Sequence, residues 1–397
     1  MVEHCDVVVV GGGLIGATLV HALHGAPLRT AWVERRPVAE LPDDPRSTAL
    51  AQVSARLLQD LGLWDAISDD ACAIETVKVS QQGHFGSVTL SASDMGVPAL
   101  GYVVPNRALA SALAASVAAR SDVLDLSPDA LASLSEDDDG VLLTLESGRQ
   151  IRASLVVAAD GGHSRVRDCA GVALAREVTF DQHAVVAEIT GSGWPPHVAW
   201  ERFCPYGPLA LLPLDRNRLS VVYTVPDAAL ERVLALDDAA FMQEVGERSG
   251  LAHHFVSVTP RQAFPLVAVS AESAWQGRIV LIGNAVRTLH PVAGQGFNLA
   301  LRDCLTLAEL LHELGPDADP AAPHVAAQYR RRRGADQRRT AFATEGLARL
   351  FRGESTVLGH LRGAGLLLTD RFAPARRTLA RQFMGLGGRL PLVKSPD

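Results

Sequence analysis

Residues 5–34, CDVVVVGGGLIGATLVHALHGAPLRTAWVE, constrain the fold more than any other stretch. Asp6 to Val10 reads as a parallel strand buried on both faces, because Val7 to Val10 are all apolar and β-branched, without alternation. Leu14 to His24 reads as a helix, and Thr30 to Glu34 as a second strand. Strand, glycine turn, helix and parallel strand together open a Rossmann-like α/β domain. In the turn, Gly11 suits the tight bend, Gly13 lets a pyrophosphate approach, and Gly16 packs the helix on the strand, with Leu14 and Ile15 between them. Glu34, followed by Arg35, ends the second strand where a carboxylate accepts hydrogen bonds from two ribose hydroxyls; otherwise it is a plain surface acid. An acid here disfavours a 2′-phosphate.

A second unit lies far along the chain, IVLIGNAVRTLHPVAGQGFNLALRD at 279–303. A buried strand from Ile279 runs into the polar turn Gly283-Asn284-Ala285, then a Pro-Gly-Gly loop, then an amphipathic helix expected to start near Phe297. Gly294 and Gly296 permit close backbone approach to a ligand. The N–H groups from Gln295 to Asn298 and the positive end of the helix dipole favour an anion there. One extended ligand with a pyrophosphate at one end and a ring that becomes anionic at the other satisfies both units, and FAD is that ligand. Pro291 would bound the substrate side of the ring. His290 beside it either hydrogen-bonds substrate or flavin, or is a packing residue.

The chain has 397 residues, 48% hydrophobic and 20% charged, enough for two sizeable domains. A net charge of −7 argues against a nucleic-acid partner. The tail reverses the sign: 329–397 carries 15 Lys+Arg, opening with Arg330 to Arg333, against 5 Asp+Glu. That region faces an acidic partner, anionic lipid or simply water. Five scattered cysteines form no C-x-x-C pair and lack a His at metal spacing, so no metal is expected and a reducing compartment fits. No apolar run reaches the roughly 18 residues of a membrane span. A cytoplasmic protein, soluble or peripheral at the inner membrane, is expected.

Between the two units, a loop with Pro37, Pro42 and Pro45 precedes a helix expected from Leu50 to Leu61. Thr76 to Ser91 alternates as antiparallel strands, Arg107 to Ala119 is an Ala-rich helix, and 131–158 gives three strands. The last of these runs into the loop Asp160-Gly161-Gly162-His163-Ser164-Arg165-Val166-Arg167. From Asp181 to Phe264 short strands rich in aromatics surround one helix near 227–248, with Phe203 and Tyr206 as candidate cavity residues. The expected division is a discontinuous FAD-binding domain at 1–75, 98–180 and 275–325, a substrate-binding β-sheet domain at 76–97 and 181–274, and a helical region at 326–397.

The N-terminal fingerprint, the Arg46-Ser47 loop with LAQVSARLLQDLGLW, the segment GYVVPNRALASAL, the motif ADGGHSRVR and the unit GNA…HPVAGQGFNLALRD occur here in one order. Together they resemble the class A flavoprotein aromatic hydroxylases over nearly the whole chain. LHPVAGQGFNLALRD, ERFCPYGPLALLPL and FAPARRTLARQ resemble the ubiquinone-biosynthesis group of that family, most of all its 2-polyprenyl-6-methoxyphenol hydroxylases. The resemblance implies a para-hydroxybenzoate-hydroxylase-like fold and hydroxylation of a polyprenylated phenol by O2 through a flavin C4a-hydroperoxide, with NAD(P)H or a protein donor as reductant. It implies that Arg46 and Arg107 contact the FAD pyrophosphate or flank the flavin, and that Asp160 and Gly161 support the pyrophosphate; a plain capping turn is the alternative for these two. The family usually has Gly-Asp-Ala where this chain has Gly283-Asn284-Ala285, a mark of the methoxyphenol subgroup. Other ubiquinone-biosynthesis proteins, a membrane surface at the C-terminal region and a second copy of the chain are compatible partners. Two other functions fit the same residues: a soluble aromatic hydroxylase of degradation or secondary metabolism, and a flavin-binding assembly subunit.

Overall fold

The computed structural model describes residues 2–37, 44–251, 254–289, 294–315, 317–350 and 356–392. Its first sheet is built on five parallel strands, Val123–Asp125, Thr30–Val33, Glu3–Val10, Gln150–Ala158 and Ile279–Leu281, in that spatial order. Counted along the chain they lie third, second, first, fourth, fifth, so the winding reverses between Glu3–Val10 and Gln150–Ala158. Ligands of doubly wound sheets bind in the crevice outside the strand ends at such a reversal. Leu14–Ala22, Asn106–Ala118 and Gln295–His312 pack on one face, and Val7, Val9, Leu19, Trp32, Leu155, Val280 and Leu305 form the core between.

A second, nine-stranded sheet contains Gln262–Ala271, Leu174–Gly191, Arg218–Pro226, Gly207–Pro213, Val198–Cys204, Thr76–Gln81 and Ser87–Ser91 as consecutive neighbours. Thr76–Gln81 joins it by a parallel pairing with Val198–Cys204, so two distant pieces of chain form one surface. The strand Leu174–Gly191 is 18 residues long and runs across the expected boundary at 180/181. Arg287–Thr288, from the expected FAD-binding segment, adds an edge pair to this sheet.

Local assignments depart from the sequence reading at two places. Ser47–Ala51 is a strand paired with Gly101–Pro105, and only Gln52–Asp60 is helical; the partner strand overrides helix propensity at Leu50. The expected helix at 227–248 is two, Asp227–Ala235 and Asp238–Ser249. Asp237 starts the second by accepting from Ala240 N at 2.7 Å. The tail is helical at Pro323–Leu350, Thr356–Arg371 and Ala373–Phe383.

Candidate active site

At the reversal point the glycine turn touches the strand end beside it. A Cβ on Gly11 (φ +108°) would lie 2.5 Å from the Ala159 carbonyl oxygen, and one on Gly16 would collide with the Gly11 carbonyl. Gly13 differs, because a Cβ there meets no protein atom within 4 Å. Its bareness serves no packing need within the chain, which is what a close-approaching phosphate requires. Gly296 is likewise open; Gly161 is open too but takes up φ +89°, and Gly294 takes up φ +58° at the N-cap of Gln295–His312. The helix therefore starts at Gln295, two residues before Phe297. Asp160 accepts from Val166 N at 3.0 Å through Oδ2, and its buried Oδ1 has no partner, so the capping role leaves one acceptor for a ligand. Arg167 is buried and donates to the carbonyls of Gly162 (3.0 Å) and Ala285 (3.2 Å), tying this loop to the Gly283–Ala285 turn.

A cavity of about 630 Å³ begins here. Gly13, Leu14, Ile15, Gly161, Gly283, Asn284, Gly294, Gly296 and Phe297 all line it, together with Arg46. The Asn284 side chain makes no hydrogen bond to the described residues and is exposed in the turn. Arg46 pairs with Asp44 at 2.7 Å and lies 4.7 Å over the Phe264 ring. Burial would raise the Asp44 carboxyl, but the hydrogen bonds from Arg46 and Asn106 outweigh it and hold it below its ordinary value. His290 and Pro291 lie outside the described residues.

Several expected contacts are placed elsewhere. Arg107 is exposed and does not line the cavity; its neighbour Asn106 does, bonded to Thr48 and Asp44. Asn298 is buried and its amide is engaged by the protein. Oδ1 accepts from Ala51 N (2.7 Å), and Nδ2 donates to the Ala49 (2.8 Å) and Gly294 (2.7 Å) carbonyls. It stitches the Ser47–Ala51 strand to the helix start, so it positions the site. Arg35 is exposed, and Glu34 accepts from Gly12 N and from Arg36 N (3.1 Å) beside the turn; neither lines the cavity, nor does Gln295. Phe203 is buried in the core of the second sheet and Tyr206 is exposed; Trp200 and Phe264 are the aromatics of the wall.

The far wall is the second sheet. Glu201, Ala210, Val222 and Val186 stand side by side in register on four neighbouring strands, with Ala199, Leu212 and Ala184 around them. Small residues there leave space that larger ones would fill. Phe383, from the last helix, closes the same cavity. Glu201 is the one carboxyl on this apolar surface. It makes no hydrogen bond or ion pair among the described residues, and burial alone pushes it up to about 7. It is half-buried because the cavity itself reaches it. Strand alternation in VAWERFC sets Glu201 on the face of Ala199 and Phe203, a signal the sequence carried.

A sheet wound in this order, with a glycine cradle at its reversal and a cavity running from it to an antiparallel sheet, defines the class of dinucleotide-cofactor folds with a second, attached sheet. Residues 4–340 match the family described as FAD binding domain, and the chain belongs to it. The chain is 34% identical to the ubiquinone hydroxylase UbiL of Rhodospirillum rubrum, over 96% of this chain and 89% of that one. It is 30% identical to the 3-demethoxyubiquinol 3-hydroxylase of Escherichia coli, over 96% and 98% respectively. Its fold superposes on the p-nitrophenol 4-monooxygenase PnpA of Pseudomonas putida with a TM-score of 0.80 at 20% identity, covering 98% of this chain and 99% of that one.

Proposed function

We propose that this chain is an FAD-dependent monooxygenase that hydroxylates the aromatic ring of a polyprenylated phenol in ubiquinone biosynthesis, with NAD(P)H or a protein donor as reductant. The observation that carries the reading is the single cavity joining the Gly13–Asn284 side to a wall of small apolar residues. Bound FAD supplies the activation of O2 that side chains cannot. Gly11, Gly13, Gly16, Asp160, Gly161 and Asn284 would hold it. Glu34, which flanks the glycine turn just outside the cavity lining, would accept from its ribose with the acceptor capacity left beside Gly12 N. Arg46 would flank it, and the N–H groups from Gly294 to Phe297 would face the ring as it becomes anionic. The apolar wall holds the phenol ring and excludes water.

A soluble hydroxylase of aromatic acids needs a free cation in its cavity. Here Arg46 is already paired with Asp44, and Glu201 would repel a carboxylate. That favours a neutral, greasy substrate. The C-terminal region that lends Phe383 to the cavity also exposes Leu361, Leu367, Leu368 and Phe372 beside Arg371, Arg377 and Arg381, a surface suited to anionic lipid. Leu366 packs inward instead. Among the described residues no helix is long and apolar enough to cross a membrane. The decisive experiment is mass spectrometry of quinone precursors in a deletion strain: accumulation of an under-hydroxylated prenylphenol is expected, and an unchanged quinone profile would refute the proposal.

A further inference from the structure

Glu201 carries a cost without a structural return. A carboxyl taken from water onto an apolar wall is destabilising unless it is paired. The strands beside it present neutral residues on that face: Val77 and Val79 on one adjoining strand, Ala210 and Leu212 on the other, then Val222, Val186, Ala184 and Phe264. The last helix adds Leu379, Ala380 and Phe383 over the same apolar cluster. The other charged groups lining the cavity among the described residues are Asp44 and Arg46, which neutralise each other. Among the described residues nothing uses the Glu201 carboxyl, and Glu201 lines the space in which the proposed substrate must lie.

We propose that Glu201 is a catalytic residue that accepts the phenolic O–H of the substrate and holds its proton while the ring is hydroxylated. This rests on the phenol reading above. The phenol O–H bond breaks, the proton goes to a Glu201 carboxylate oxygen, and the electron pair stays on the phenol oxygen. That raises electron density at the ring carbons ortho and para to it, where oxygen is accepted. A C–O bond then replaces a C–H bond, the ring proton leaves to water, and the proton on Glu201 returns to the phenol oxygen. Dioxygen and the two reductant electrons are those of the proposed reaction, and the second oxygen atom leaves as water. A group acting in this way works best with a proton affinity near neutral, and burial places Glu201 there.

The test uses the FAD-loaded enzyme, a 2-prenylphenol and its methyl ether, with binding read from the flavin absorbance between about pH 6 and pH 8. The wild type should prefer the phenol by about tenfold or more, increasingly as pH rises through about 7. In Glu201→Gln that preference should be flat with pH. Product formation should fall about a hundredfold and lose its inflection near neutrality. A variant that keeps both pH dependences overturns the inference while the phenol reading stands. If neither compound perturbs the wild-type flavin, the phenol reading fails first. Should the variant not retain FAD, the wild-type comparison decides alone, and a pH-independent preference overturns the proposal.

Discussion

Asp336 and Glu201 are both carboxyls inside the protein, and their surroundings push them in opposite directions. Asp336 lies between the helices Gln295–His312 and Pro323–Leu350, accepting from Arg302 at 2.9 Å and Arg333 at 2.6 Å. Arg333 also pairs with Asp303, which takes a further bond from Gln337 at 2.9 Å. Burial works against the Asp336 charge, but the two guanidinium groups outweigh it and hold the carboxyl down at about 2. Glu201 feels burial with nothing opposing it and rises to about 7. Desolvation is thus common to both sites, and the presence of a partner sets the sign. The first arrangement fixes the helix whose N-terminal end lines the cavity; the second leaves a carboxyl without a partner among the described residues.

The network is best broken by Arg333→Met, which leaves Asp303 without its main cation. Loss of one partner from a buried pair costs about 3–5 kcal/mol. Urea unfolding should show it, and a loss within about 0.5 kcal/mol, typical of surface changes, would mean the network is not a structural clamp. Next in size is Gly296→Ala, whose added methyl meets no protein atom but enters the cavity at the helix start. Turnover should fall by about a hundredfold, roughly 3 kcal/mol, with unfolding unchanged. Normal turnover would show that the helix start does not contact the flavin.

The pH dependences sharpen the contrast. Asp336 has a folded pKa below the ordinary aspartate value of 3.8, so its contribution is complete above that value and is lost as pH falls towards about 2. The stability gap between wild type and Asp336→Asn should therefore shrink by about 2–3 kcal/mol over that window in acid titrations of unfolding. Glu201 has the opposite sign. Its folded pKa lies above the ordinary glutamate value of 4.5, so the folded state is favoured by protonation below that value and loses this as pH rises through about 7. Glu201→Gln should be as stable as wild type near pH 4.5 and more stable near pH 8, by about 1–2 kcal/mol after allowing for screening within the cavity. Equal melting temperatures across that range would mean the carboxyl is paired in solution.

Much of the cofactor side was legible because its signals are local. Gly11, Gly13 and Gly16 announce a turn, and Asp6 to Val10 announces a doubly buried strand, within one short stretch. The run Arg330 to Arg333 misled for the same reason. Locally it is a patch of charge, yet Arg333 is 1% exposed because Asp303 and Asp336 come to meet it. Arg107 and Asn298 show the limit of motif matching: neighbours in a motif can exchange roles, so Asn106 lines the cavity and Asn298 holds backbone.

By itself, the sequence determined the glycine cradle, the parallel strands that carry it and the helix start across from it, since each depends on residues close in the chain. Tertiary structure alone decided the apolar wall around Glu201. Residues 76–81 pair with 198–204 across more than a hundred intervening positions, and only that pairing, with Ala210 and Val222 in register, surrounds Glu201 with apolar residues. A carboxyl's proton affinity depends on what surrounds it in space, and no local pattern of residues contains that information.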